Sequence, residues 1–147
     1  MQRALRFLGY RSRSEAELQN FLVQRGYSTA IAEWTLAKLR ALNYLNDETF
    51  AQDWARSRVE ARGYGPKRIE QELRTKGIGP ELIREALGQT FAPGDESARA
   101  RLLLVKRFKN QQLDDHKMLR RAVGFLQRRG YSSKVIFDVL KYTVEDD

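Results

Sequence analysis

The chain has 147 residues, no cysteine, 41% hydrophobic and 31% charged residues, and a formal net charge of +8. That length holds one sizeable core or a row of small cores that share walls, and the apolar content, with seven Phe, six Tyr and two Trp, excludes wholesale disorder. Disulfides and cysteine-ligated zinc are excluded, no apolar run reaches the roughly 20 residues that cross a bilayer, and the positive excess favours polyanionic partners in a reducing, cytoplasmic setting.

At the amino end, Met1-Gln2-Arg3-Ala4-Leu5 lacks the apolar core of a secretory signal. Residues 2–9 read as a helix with Phe7 and Leu8 facing inward. Ser14 with Glu17 forms a capping box that opens a second helix, whose Leu18, Phe21 and Leu22 share a face. Gly26, just after Arg25, reads as a left-handed helix stop with a cation near the negative end of the dipole. Ser28 then suits the cap of a third helix, whose predicted inner stripe is Ile31, Trp34, Thr35, Leu36 and Leu39. Asn46-Asp47 marks the next cap, and residues 47–62 read as a helix with Phe50, Trp54 and Val59 inward. Gly63-Tyr64-Gly65-Pro66-Lys67 lacks the spacing and preceding strand of a phosphate-binding loop and reads as a helix break, with Gly65-Pro66 opening a helix that carries Ile69 and Leu73. Lys76-Gly77 stops that helix, and Gly79-Pro80 opens one with Leu82, Ile83, Ala86 and Leu87 on its inner face. Phe91-Ala92-Pro93-Gly94-Asp95 resembles a hinge at which the remainder is expected to tilt. Beyond it come a helix at 94–109 with Leu102, Val105 and Phe108 inward, and one with Leu119, Ala122, Val123 and Leu126 that stops at Arg129-Gly130. After Ser132 a last helix carries Val135, Ile136, Val139 and Leu140.

The chain therefore repeats itself. Residues 21–28 and 125–132 are near copies, residues 72–79 are a weaker third, and the glycines are 51 and then 53 positions apart. A Schellman ending at each glycine pairs Tyr27 with Leu22, Ile78 with Leu73, and Tyr131 with Leu126, all apolar. No stretch alternates apolar and polar residues long enough for a strand. The expected fold is all-α: three tandem three-helix repeats at 1–46, 47–92 and 93–147, about nine helices in an elongated, curved molecule, because a unit of under about 50 residues is marginal alone and must stack on its neighbours.

Charge is uneven along these units. Lys and Arg outnumber Asp and Glu by seven to three in the first, balance at eight each in the second, and lead by twelve to eight in the third. The candidate contacts are Arg3, Arg6, Arg11 and Arg13 at one end, and Lys106, Arg107, Lys109, Lys117, Arg120, Arg121, Arg128, Arg129 and Lys134 at the other. The acidic tail Glu145, Asp146 and Asp147 offsets part of that second patch. The plain alternative is that cations lie on solvated helix faces, and helix-end electrostatics alone account for Arg25, Lys76 and Arg129.

Reactive chemistry is missing. His116 stands alone, which argues against a metal site, and Asp114-Asp115 sits where a helix cap belongs. No catalytic residues, cofactor or metal are expected, so the chain reads as a non-enzyme. Trp34, Trp54, Tyr27 and Tyr131 have spacing or corner positions that favour core packing over stacking on bases.

Ala4-Leu5-Arg6-Phe7-Leu8, Arg11-Ser12-Arg13-Ser14-Glu15-Ala16-Glu17-Leu18, Leu45-Asn46-Asp47-Glu48-Thr49-Phe50-Ala51, and Gly65, Ile69, Glu72-Leu73 and Lys76-Gly77-Ile78 resemble successive signatures of the RecX family. The likeness is strong over residues 4–87 and looser in the third unit, and Asn46 stands where the family tends to have Asp. The resemblance implies a tandem three-helix fold and a negative modulator of the RecA recombinase. Such a modulator binds the groove of the RecA–DNA filament, inhibits its extension, ATP hydrolysis and strand exchange, and thereby regulates DNA repair, homologous recombination and the SOS response. The expected partners are that filament and single- and double-stranded DNA, held weakly and without sequence preference, with no membrane and with the chain as a monomer. Two other readings compete: an autonomous helix-turn-helix-like DNA-binding protein built on the basic third unit, and a helical scaffold with no nucleic-acid role.

Overall fold

A computed structural model of the chain describes residues 1–109, 113 and 115–145, the last four by backbone alone. The described residues form nine helices and no strand: α1 (Gln2–Tyr10), α2 (Glu15–Gln24), α3 (Thr29–Ala41), α4 (Asp47–Arg62), α5 (Pro66–Thr75), α6 (Pro80–Thr90), α7 (Asp95–Arg107), α8 (His116–Arg129) and α9 (Ser133–Glu145). The expected caps at Asp114 and the tail at 146–147 lie outside the described residues, as do the side chains from 142 onward.

Local chemistry sets these boundaries. Ser14 accepts from the Glu17 amide while Glu17 returns a bond to the Ser14 amide, which is the capping box in both directions. Ser28 caps α3 and Asn46 caps α4 through their side chains. Pro66 and Pro80 occupy first turns, where the missing N–H costs nothing. Gly26, Gly77 and Gly130 have φ of +94°, +80° and +93°, and each ends its helix with the same pair of bonds. Tyr27, Ile78 and Tyr131 donate to Leu22, Leu73 and Leu126, and the glycine amides to Val23, Arg74 and Gln127.

Three separate cores result. Ala4, Leu18, Leu22, Ala32, Leu36, Leu39 and Leu45 form the first. Phe50, Ala51, Ala55, Val59, Ile69, Leu73, Ile78, Ile83 and Ala86 form the second. Ala100, Leu104, Phe108, Leu113, Ala122, Leu126, Tyr131, Ile136, Val139 and Leu140 form the third. The accessible surface of 9766 Å² is about a quarter above the ~7,700 Å² of a compact monomer of this mass, as expected of modules in a row.

Two expected inner faces are corrected. On α3 the buried residues are Ala32, Thr35, Leu36 and Leu39, whereas Ile31 and Trp34 are exposed, Trp34 at 59%. On α7 Ala100, Leu104 and Phe108 are buried, and Leu102 and Val105 are each 70% exposed. In both helices a fully buried alanine, Ala32 or Ala100, takes the inner position, and the larger Trp34, Leu102 and Val105 face outward. Trp34 is therefore not a core residue. The inter-unit segment at 91–95 is closed by hydrogen bonds between Ala92 and Asp95 in both directions, at 2.9 and 3.0 Å.

Candidate functional site

The basic residues divide into those that join units and those that face solvent. Glu17, in the first turn of α2, is the hub where the first unit meets the second. Its carboxylate takes Arg11 at 2.5 Å, the Ser14 amide at 3.1 Å and Lys76 of the second unit at 3.2 Å. Burial alone pushes its pKa up, but the bonds from Arg11, Ser14 and Lys76 outweigh that and hold the carboxyl below its usual range. Ser14 also donates to the Lys76 carbonyl at 2.6 Å. Asp47 accepts from the Glu15 amide at 2.9 Å, so it serves α2 and leaves the cap of α4 to Asn46. Trp54 stacks on Phe50, donates to Glu72 at 3.2 Å and lies against Arg11, Arg58 and Lys76. Arg13 sits 3.9 Å from the centre of the Phe7 ring, and burial, with Arg11 beside it, lowers its pKa. Arg11, read as a candidate contact, is thus part of the joint between units, while Arg13 packs within the first unit against Phe7.

The second joint is made of backbone. The amides of Gly65 and Lys67 donate to the carbonyls of Arg129 and Gly130 at 2.6 and 2.9 Å, and the Tyr131 hydroxyl donates to the Gly63 carbonyl at 3.0 Å. The Arg129 guanidinium donates to the Arg62 carbonyl and lies over Phe125, so this candidate too is spent internally. Burial first, with Glu96 nearby, raises the Tyr131 hydroxyl to about 12, so it stays a donor.

The remaining ten candidates, Arg3, Arg6, Lys106, Arg107, Lys109, Lys117, Arg120, Arg121, Arg128 and Lys134, are exposed. Several converge. At the amino end a recess of about 590 Å³ is lined by Arg3, Arg6, Phe7, Tyr10, Arg13, Phe21 and Arg25, with Phe7 stacked on Phe21 at 4.0 Å. In the third unit a recess of about 550 Å³ is lined by Arg107, Phe108, Lys117, Arg120, Arg121, Phe125 and Arg128. Among the described residues neither lining contains a carboxylate. A third recess, between the end of α4 and α7–α8, combines Arg62, Arg99, Lys106, Arg107 and Arg129 with Leu102, Leu103 and a single acid, Glu60. Guanidinium groups beside aromatic rings in an acid-free hollow suit phosphate oxygens together with stacked bases or other flat groups. Lys109 and Lys134 line none of the three.

Sequence reading missed Arg25, Arg62 and Arg99 as wall residues. Arg99 was within reach, since it stands seven residues before Lys106 and hence on the same helix face. Arg62 depends on a contact between distant segments and left no local signal. Among the described residues no group of His, Cys, Asp or Glu is arranged to hold a metal ion, and no helix is long and apolar enough to cross a membrane.

Comparison with known proteins finds three successive matches along the chain. Family models for the first, second and third three-helix domains of RecX match residues 1–39, 46–87 and 95–140. A relative named "Regulatory protein RecX", from Mycolicibacterium smegmatis, is 36% identical over 148 residues, covering 97% of this chain and 78% of that protein. A crystal structure of regulatory protein RecX, 29% identical, aligns with a TM-score of 0.78 over 99% of this chain and 70% of its own. A second, of RecX from Lactobacillus salivarius, shares the fold at 22% identity with a TM-score of 0.83, over 99% of this chain and 94% of its own.

Proposed function

The chain belongs to the RecX family of regulatory proteins, and from that premise we propose that it is a negative regulator of a RecA-type recombinase. It binds in the groove of the RecA–DNA filament and touches single- or double-stranded DNA weakly and without sequence preference. By occupancy it obstructs filament extension, ATP hydrolysis and strand exchange. It performs no reaction of its own and needs no cofactor. It acts as a cytoplasmic monomer and thereby modulates recombinational repair and the SOS response.

The observation that carries this reading is the pair of basic recesses, free of carboxylates among the described residues, in the first and third units of an elongated body. Positive hollows set apart by a charge-balanced middle unit suit a partner whose acidic surface is extended or repeated. The test is to follow ATP hydrolysis and strand exchange by the cognate recombinase while this chain is titrated in. Both should fall as it saturates the filament; unchanged rates at saturation reject the proposal.

The autonomous DNA-binding reading draws on the same cations but is supported less well. A helix-turn-helix reads bases with the helix after the corner, and α9 carries only Lys134 and Lys141, while the arginines lie on α8 before the corner. That corner is also covered by the opening of α5.

A further inference from the structure

The three helix-end corners share one construction, and two of them are covered. At the second, Ser14 donates to the Lys76 carbonyl, and a methyl at Gly77 would collide with Ala16. At the third, Gly65 and Lys67 donate to the carbonyls of Arg129 and Gly130, Arg68 donates to the Arg128 carbonyl at 3.1 Å, and a methyl at Gly130 would run into Arg68. In both cases the cover is the opening turn of the middle helix of the preceding unit. The first corner is built from nearly the same residues as the third. Arg25 lies over Phe21 at 4.9 Å as Arg129 lies over Phe125 at 5.1 Å, and Tyr27 stands where Tyr131 stands. Yet nothing described lies within 4 Å of a methyl placed on Gly26. The Arg25 and Gly26 carbonyls and the Tyr27 hydroxyl have no hydrogen-bond partner among the described residues.

We infer that the Arg25-Gly26-Tyr27 corner is a docking site for the opening turn of a helix in a partner protein, a turn presenting two backbone N–H donors, one carbonyl acceptor and only a small residue at closest approach. The chemistry is copied from what Gly63-Tyr64-Gly65-Pro66-Lys67 brings to the third corner. A second copy of this chain does not supply it. The openings of α2 and α5 are already engaged, and in that of α8 the Lys117 amide, which stands where the Lys67 amide stands in α5, is taken by the Asp115 side chain at 3.1 Å. The occupant assigned to the corner is a different protein. Its identification with a subunit of the recombinase filament rests on the function proposed above.

Two variants test the inference. Gly26→Asn tolerates the left-handed backbone and fills the vacant space, and Tyr27→Phe removes only the hydroxyl. Each is measured for helix content, for binding to single-stranded DNA, and for binding to the same DNA coated with the cognate recombinase. With fold and bare-DNA binding unchanged, Gly26→Asn should weaken filament binding by about tenfold or more and Tyr27→Phe by about threefold to fivefold. Variants that bind the filament as tightly as the parent overturn the inference alone. A parent that does not bind the filament overturns the function as well. Self-association of the parent that Gly26→Asn abolishes overturns the assignment to another protein.

Discussion

Glu17 answers to two demands at once, capping its own helix and tying Arg11 and Lys76 together across the joint. Because its carboxyl is held below the usual range, the ionised form is favoured by folding. The stability this adds is complete above the ordinary carboxylate value and drains away as pH falls through the lowered one. Glu17→Gln should therefore cost about 2 kcal/mol at neutral pH and flatten the loss of stability on acidification, as followed by urea denaturation between neutral and acid pH. An acid limb as steep as the parent's would show that Glu17 does not couple the units. Arg13, packed on Phe7, belongs to the same class. Arg13→Ala should lower the melting temperature in a thermal melt, a loss that its charge alone does not suggest; an unchanged melting temperature would show that the contact with Phe7 contributes nothing. At this scale the capping residues Ser14, Ser28 and Asn46 were legible, since they act within a turn of themselves. The roles of Arg11 and Arg129 were not, because their partners Trp54 and Arg62 are set by packing between segments far apart in sequence, and Arg13 meets Phe7 only once the turn between α1 and α2 is folded.

The three glycine corners make an internal control for the elements. All three glycines hold positive φ, but Gly77 and Gly130 also lie under a neighbouring helix while Gly26 does not. Gly26→Ala should cost only the backbone strain, about 1–2 kcal/mol. Gly77→Ala and Gly130→Ala add steric overlap with Ala16 and Arg68 and should cost about 3 kcal/mol or more. Equal losses in chemical denaturation would mean that the joints between units do not rest on these corners. The corners were readable in sequence because glycine, the cation before it and the apolar residue after it each answer to a local requirement. The faces of α3 and α7 were not, because reading by the largest apolar residues favoured Trp34, Leu102 and Val105 over Ala32 and Ala100. An alanine signals a close crossing only once the helix it meets is known.

For the whole molecule, three cores joined by hydrogen bonds and short polar contacts give a body whose first and third units carry the positive hollows. Repeat number and order were visible in the spacing of the glycines. The convergence of Arg3 with Arg25, and of Arg107 with Arg120 and Arg128, required the folded units. Reversing Arg120 and Arg121 to Glu should weaken DNA and filament binding and reduce the slope of affinity against salt by about one to two ions. Arg3→Glu with Arg6→Glu should weaken the filament complex without altering the third unit's stability. The most direct test is retention of the chain on single-stranded DNA with and without the cognate recombinase at physiological salt. Strong retention only on the recombinase-coated strand is the result this account predicts; equal retention on the bare strand, or none on either, would contradict it.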